Sequence, residues 1–165
     1  MVIDMQNDYL CEKRKPIFAY NTEELVGNVN GLIREYQEKG CDIIYIRHII
    51  QNLPTNRLLF GYSLAGTEGA ELYGGLDIVS DYVFDKLLGD ALSNKELLKL
   101  VREKEYDSLC LCGLDECGCV TSTALGAAKR GIKAEIIRKG TATVFPQKKI
   151  NKARKKLGKA GVSYV

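Results

Sequence analysis

With 165 residues, 45% hydrophobic and 27% charged, the chain is long enough to bury a core without staples and is expected to form one domain over 1–165. No apolar run approaches the roughly 18 residues that cross a membrane, and no leader-like segment is evident, so a cytoplasmic protein without a membrane partner is expected. The net charge of +3 gathers between Arg130 and Lys159, without the interleaved aromatics of a nucleic-acid surface, which predicts a solvated basic face and no nucleic-acid partner.

Met1 to Asp4 reads as a short apolar strand, and the polar run Asp4-Met5-Gln6-Asn7-Asp8-Tyr9 leads away from it. A helix is predicted from about Thr22 to Lys39. Asn21 or Thr22 caps it, Leu25, Val29, Leu32, Ile33 and Tyr36 form one apolar face, and Gly40 stops it. Residues 42–47 have the continuous apolar look of a strand in a parallel sheet. From His48 to Ser80 no period is sustained and glycines recur, so this long connection is expected to be a lid, a binding loop or an oligomer contact. Residues 81–85 form a third strand ending at Lys86. Ser93-Asn94-Lys95-Glu96 then reads as a capping box for a helix to about Lys104, with Leu97, Leu98 and Val101 inward.

The stretch from Leu109 to Gly131 reads as a buried strand ending at Gly113, a tight acidic turn, and a helix that opens at Cys119. Val120, Ala124, Ala127 and Ala128 give that helix a small apolar face, and Gly131 stops it. A cysteine at a helix N-terminus meets first-turn N–H groups and the positive end of the dipole, which favours a thiolate. A strand at 134–138, a basic helix at about 147–159 and a terminal strand at 162–165 complete the pattern. Strands spaced by helices imply right-handed crossovers, hence an α/β fold: a three-layer α/β/α arrangement around a six-stranded, mostly parallel Rossmann-like sheet. Ligands of such sheets gather beyond the carboxyl ends of the strands. Asp4, Lys86 and Cys119 all fall there.

Cysteines at 11, 41, 110, 112, 117 and 119 include two C-x-C pairs. That spacing is shorter than the two to four intervening residues usual for zinc, and His48 is the only histidine, so no metal and no cofactor are expected. A thiol redox or metal-binding protein using Cys117 and Cys119 is one alternative reading.

Asp4-Met5-Gln6-Asn7-Asp8-Tyr9, Gly66-Thr67-Glu68-Gly69-Ala70-Glu71-Leu72, Lys86, and the run from Gly113 through Cys119-Val120, Thr123-Ala124, Ala127 and Gly131 together resemble the isochorismatase-like cysteine hydrolases. The match spans nearly the whole chain. The resemblance implies a catalytic triad of Asp4, Lys86 and Cys119, a cis peptide between Leu114 and Asp115, and an oxyanion hole made by the N–H groups of Asp115 and Cys119. It implies attack by Cys119 on a small-molecule substrate through a thioester, with Tyr9 and His48 as candidate pocket residues, and a homodimer or higher homo-oligomer. An unperturbed carboxylate, near a pKa of about 4, is a poor base for a thiol near about 8.5, so the scheme requires a desolvated Asp4 and a cation beside the sulfur.

Departures from the family carry their own expectations. Where its nicotinamidases place an Asp and histidines for a metal, this chain has Arg47-His48-Ile49-Ile50-Gln51-Asn52 and no second histidine. Retention of Cys119 points to an amide-type C–N substrate, with the vinyl ether hydrolysis of isochorismatases proper as the alternative. Asp115 stands where the family usually has a small residue or threonine, which disfavours anionic substrates.

Overall fold

The six apolar runs become six parallel strands in the computed structural model, which describes residues 1–165. In chain order the elements are β1 (Val2–Ile3), α1 (Asn7–Leu10), α2 (Thr22–Glu38), β2 (Tyr45–His48), α3 (Pro54–Leu59), β3 (Val83–Lys86), α4 (Lys95–Glu103), β4 (Leu109–Gly113), α5 (Thr121–Lys129), β5 (Ala134–Thr141), α6 (Gln147–Lys159) and β6 (Ser163–Tyr164). The sheet order is β3-β2-β1-β4-β5-β6, and every pairing is parallel. The chain therefore steps outward in one direction from β1 and in the other from β4. The switch between them opens a crevice at the carboxyl ends of these two central strands.

Alternation along each strand divides the core into two layers. Val2, Tyr45, Cys112 and Ile137 pack on one face with Leu25, Val29, Leu32 and Ile33 of α2. Ile3, Ile46, Leu111 and Ile136 pack on the other with Leu97 of α4, Ala124 and Ala127 of α5 and Leu157 of α6. This is the expected three-layer arrangement. Ile3 is fully buried between the layers, and trimming such a side chain to Ala costs about 2–5 kcal/mol. Cys110 and Cys112 share the α2 face, and all six cysteines are free.

Local chemistry fixes the element ends. The Asn21 side chain accepts from Glu24 N and caps α2. At α4 the cap is Asn94, accepting from Leu97 N at 3.0 Å, one residue later than a box built on Ser93; Ser93 belongs to a preceding 3₁₀ turn, Ala91–Ser93. The stretch from His48 to Ser80 also holds more structure than its composition suggests, because α3 and a 3₁₀ turn at Glu68–Ala70 lie within it.

Gly113 shows how closely the central strands converge. Its φ is +103°, and a Cβ there would sit 2.1 Å from the Ile3 carbonyl oxygen. Only glycine fits. No helix is long and apolar enough to cross a membrane.

Candidate active site

At the carboxyl end of β1 the backbone of Asp4 turns into the left-handed region, φ +54°, while its N–H still donates to Ile46 O at 2.9 Å. That conformation, uncommon outside glycine, directs the chain out of the sheet and is held by the strands on either side. Lys86 ends β3, two strands away, and is in register with His48 at the end of β2. Both Asp4 and Lys86 are 3% exposed. Ions so deeply buried must be paired. The Lys86 ammonium donates to Asp4 Oδ2 at 2.8 Å and to Cys119 Sγ at 3.2 Å. Asp4 Oδ1 is buried and has no hydrogen-bond partner. The three residues expected to act together are thus brought within bonding reach.

Cys119 does not open a regular helix. It lies in a single π-helical turn, Glu116–Val120, ahead of α5, and Gly118 inside that turn departs from helical geometry at φ −112°, ψ −111°. The wide turn closes through Val120 N–H to Asp115 O, 3.2 Å. Leu114–Asp115 was expected to be cis, and here the structure differs: every peptide bond is trans. The reversal is made by the positive φ of Gly113 and the irregular Gly118 instead. The Asp115 N–H makes no backbone hydrogen bond.

Charge in the site also departs from the thiolate expected of a helix terminus. Burial, reinforced by the neighbouring Asp4 carboxylate and only partly offset by Lys86, pushes the Cys119 thiol up to about 12. Burial alone would lower the Lys86 ammonium, but Asp4 and then Cys119 outweigh it and hold it above its ordinary value. Cys119 is therefore a thiol at rest beside an Asp4–Lys86 ion pair. The Lys86 ammonium is bonded to both neighbours, so moving a proton from sulfur to Asp4 would leave the total charge of the cluster unchanged.

The expected pocket residues, His48 and Tyr9, lie here too. One ligand-type atom each of Asp4, His48 and Cys119 fall within 4.8 Å of one another. Burial, then Lys86, lowers the His48 pKa, which keeps the imidazole neutral at pH 7. The Tyr9 hydroxyl shares a 2.7 Å hydrogen bond with Ser63 Oγ, and burial followed by Asp4 holds its phenol well above the usual range. Tyr9 meets Phe18 edge-on, 4.8 Å between centroids, and Phe18 stacks on Tyr20 at 6.5 Å. Tyr20 in turn donates to Asp115 Oδ2 at 3.0 Å. Gln6 ties this region to β2, accepting from His48 N and donating to His48 O and Ala70 O.

Phe18, Tyr20 and Ser63 were not foreseen, since they lie in loops where only tertiary contacts give them a place. Asp115 is fixed as well: beyond Tyr20, its carboxylate accepts from Cys117 N, Thr143 Oγ1 and Val144 N. Burial raises the pKa of the Cys117 thiol, and Thr143 partly offsets it.

The residues do not suit a resident metal of the kind expected for the family's nicotinamidases. Arg47 is engaged by Asp85 and Glu71 where an acidic ligand would be needed. The one cluster of three metal-ligating side chains, Asp4, His48 and Cys119, already has the Lys86 ammonium between two of its members.

A parallel α/β sheet thus carries, at its switch point, a buried Asp4 and Lys86 and a part-buried Cys119 within bonding reach of the Lys86 ammonium. The isochorismatase domain model matches residues 1–161, and the chain belongs to that family of hydrolases. No curated protein sequence matches it. Among solved structures, the pyrazinamidase of Pyrococcus horikoshii in complex with zinc superposes with a TM-score of 0.84 at 24% identity, covering 99% of this chain and 96% of that one. An isochorismatase-like hydrolase from Alkaliphilus metalliredigens gives 0.84 at 22% identity, covering 99% and 92%. The N-carbamoylsarcosine amidase of Thermoplasma acidophilum gives 0.82 at 21%, also covering 99% and 92%. At such identities these likenesses establish the fold.

Proposed function

We propose that the chain hydrolyses a small, uncharged amide through Cys119, with Asp4 as the proton carrier and Lys86 as the fixed cation. The observation that carries this reading is the placement of Lys86 Nζ between Asp4 Oδ2 and Cys119 Sγ while Asp4 Oδ1, buried beside them, has no partner. A buried acceptor left empty at rest is a place for a proton in transit.

As Sγ attacks the amide carbonyl carbon, its proton passes to Asp4, and the C=O electron pair becomes an oxyanion facing the N–H groups of Asp115 and Cys119. Collapse breaks the C–N bond, and the Asp4 proton leaves with the amine. Water then adds to the thioester, giving one proton to Asp4; Cys119 departs as thiolate, recovers that proton, and the carboxylic acid is released. Lys86 stays an ammonium throughout. This cycle never needs a free thiolate at rest, which fits a thiol raised to about 12.

The charge balance favours an amide over an anionic vinyl ether. The one ammonium in the cluster is already bonded to Asp4 and Cys119, so a substrate carboxylate would meet Asp4 and Asp115 without a free cation. His48 and Tyr9, both neutral, are read as substrate-facing groups. The neighbours named as a pyrazinamidase and an N-carbamoylsarcosine amidase are consistent with C–N chemistry. The test is amine or ammonia release across a panel of neutral amides, alongside an anionic vinyl ether. Turnover of a neutral amide that is lost in Cys119→Ala supports the reading; turnover of the vinyl ether alone, or full activity in Cys119→Ala, rejects it.

We further infer a homodimer or larger assembly. Around α3 the large apolar side chains of Leu53, Leu58, Leu59 and Phe60 are exposed, Leu58 at 88%, and clustered exposure of this kind marks contact surfaces. Light scattering at micromolar concentration should give at least twice the chain mass; a monomer would refute it.

A further inference from the structure

We propose that Glu116, clamped by Arg154 and Tyr164, is a positioning residue that holds the nucleophile turn in register with Asp4 and Lys86. The inference rests on the hydrolase reading above but concerns residues outside the reacting cluster. Glu116 opens the π turn that contains Cys119, and it is only 4% exposed. Each of its polar groups is tied to a different element. Its N–H donates to Ala142 O at 2.9 Å, beyond β5. Its carbonyl accepts from the Thr121 hydroxyl and the Thr121 N–H at the start of α5. Its carboxylate takes a two-pronged bond from Arg154 of α6, Nε at 2.9 Å and the terminal nitrogen at 3.2 Å, and a third from the Tyr164 hydroxyl of β6 at 2.9 Å. The guanidinium groups of Arg138 and Arg154 each lie 5.4 Å from the centroid of the Tyr164 ring.

Cys119 falls between Glu116 and Thr121, the two ends of this clamp. A π turn is wider than an α-helical turn, and its own bonds here converge on Asp115 and Glu116, so its placement depends on how those two residues are held. What fixes Sγ relative to Lys86 is therefore the anchoring of the turn from outside. A planar guanidinium fork suits that task because it fixes orientation as well as distance. The C-terminal helix and strand thus contribute to the site without touching it, and a small loss of alignment at the reacting atoms is costly.

Kinetics separate this role from simple stability. Arg154→Ala, Arg154→Lys and Tyr164→Phe are compared with Lys152→Ala, which alters an exposed lysine on the same helix. All are assayed at temperatures where circular dichroism shows the variant folded. We expect kcat to fall about 10–100-fold in Arg154→Ala, with KM within about twofold, Arg154→Lys and Tyr164→Phe lying between it and the parent, and Lys152→Ala matching the parent. Parental kcat in folded Arg154→Ala, or a loss confined to KM, overturns the proposal. Should Arg154→Ala fail to fold, the same criteria apply to Arg154→Lys and Tyr164→Phe. The rate of Cys119 alkylation, read by peptide mass spectrometry, is a second measure that needs no substrate. If the parent is inert towards every amide, the functional reading fails, and the clamp is then judged by alkylation alone: a rate changed in Arg154→Ala but not in Lys152→Ala upholds it, and an unchanged rate refutes it.

Discussion

Two ion pairs lie close to Cys119, one fully buried and one buried only on its carboxylate side, and they are finished differently. In the pair of Glu116 with Arg154, three donors satisfy the carboxylate, and nothing is left over. In the pair of Asp4 with Lys86, one carboxylate oxygen is bonded and the other is buried and bare, while the ammonium spends a second hydrogen on sulfur. A bare buried acceptor costs about 1–3 kcal/mol, and Asp4 Oδ1 is the one buried side-chain oxygen or nitrogen left so. On the proposed reading the satisfied pair fixes a shape and the unsatisfied one holds the chemistry. The contrast can be tested from both sides.

Removing the cation should have the largest effect. Lys86→Ala leaves Asp4 as an uncompensated buried charge, and a loss of about 3–5 kcal/mol is expected in urea denaturation. The double variant Asp4→Asn/Lys86→Met should recover much of that stability while remaining inactive. If it is no more stable than Lys86→Ala, burial of the charge is not what the pairing offsets.

Asp4→Asn should move two readouts in opposite directions. Hydrolysis should fall about 10²–10⁴-fold, because the proton carrier is gone. Alkylation of Cys119 near pH 8 should accelerate, because the Asp4 carboxylate is one of the groups holding the thiol proton on and Lys86 remains. A fall in both would mean that the site had been distorted rather than discharged.

The smallest effect is the pH response of His48. Its folded pKa lies below the ordinary 6.5, chiefly through burial and then Lys86. Between that lowered value and 6.5 the unfolded chain binds the proton and the folded chain does not, so stability is lost as pH falls through this window and regained as it rises. His48→Gln should flatten the part of the stability profile just below pH 6.5. An unaltered slope would place the imidazole in contact with water.

Much of this was legible in the residues. Apolar runs, caps and glycine stops located the strands and the longer helices, and the strand-end rule brought Asp4, Lys86 and Cys119 to one edge before any distance was known. What escaped depends on contacts between distant segments. The cap at Asn94 rather than Ser93 follows from a 3₁₀ turn that no short motif announces. The π turn at Cys119 arises from the bond of Val120 to Asp115 and the irregular Gly118, and it replaces both the helix start and the cis peptide expected there. The thiol's high pKa could not be read from a helix terminus, because it reflects burial beside a carboxylate contributed from 115 residues away in the chain. Arg154 and Tyr164 meet Glu116 across 38 and 48 residues, and only the folded sheet reveals why a basic helix holds one arginine inward.

The most direct test of the central claim is capture of the covalent intermediate. Acid quenching during turnover of a neutral amide, followed by peptide mass spectrometry, should show one acyl group on the peptide containing Cys119, absent in Cys119→Ala and cleared by hydroxylamine. Turnover with no acyl group on Cys119 at any quench time, together with undiminished activity in Cys119→Ala, would contradict it.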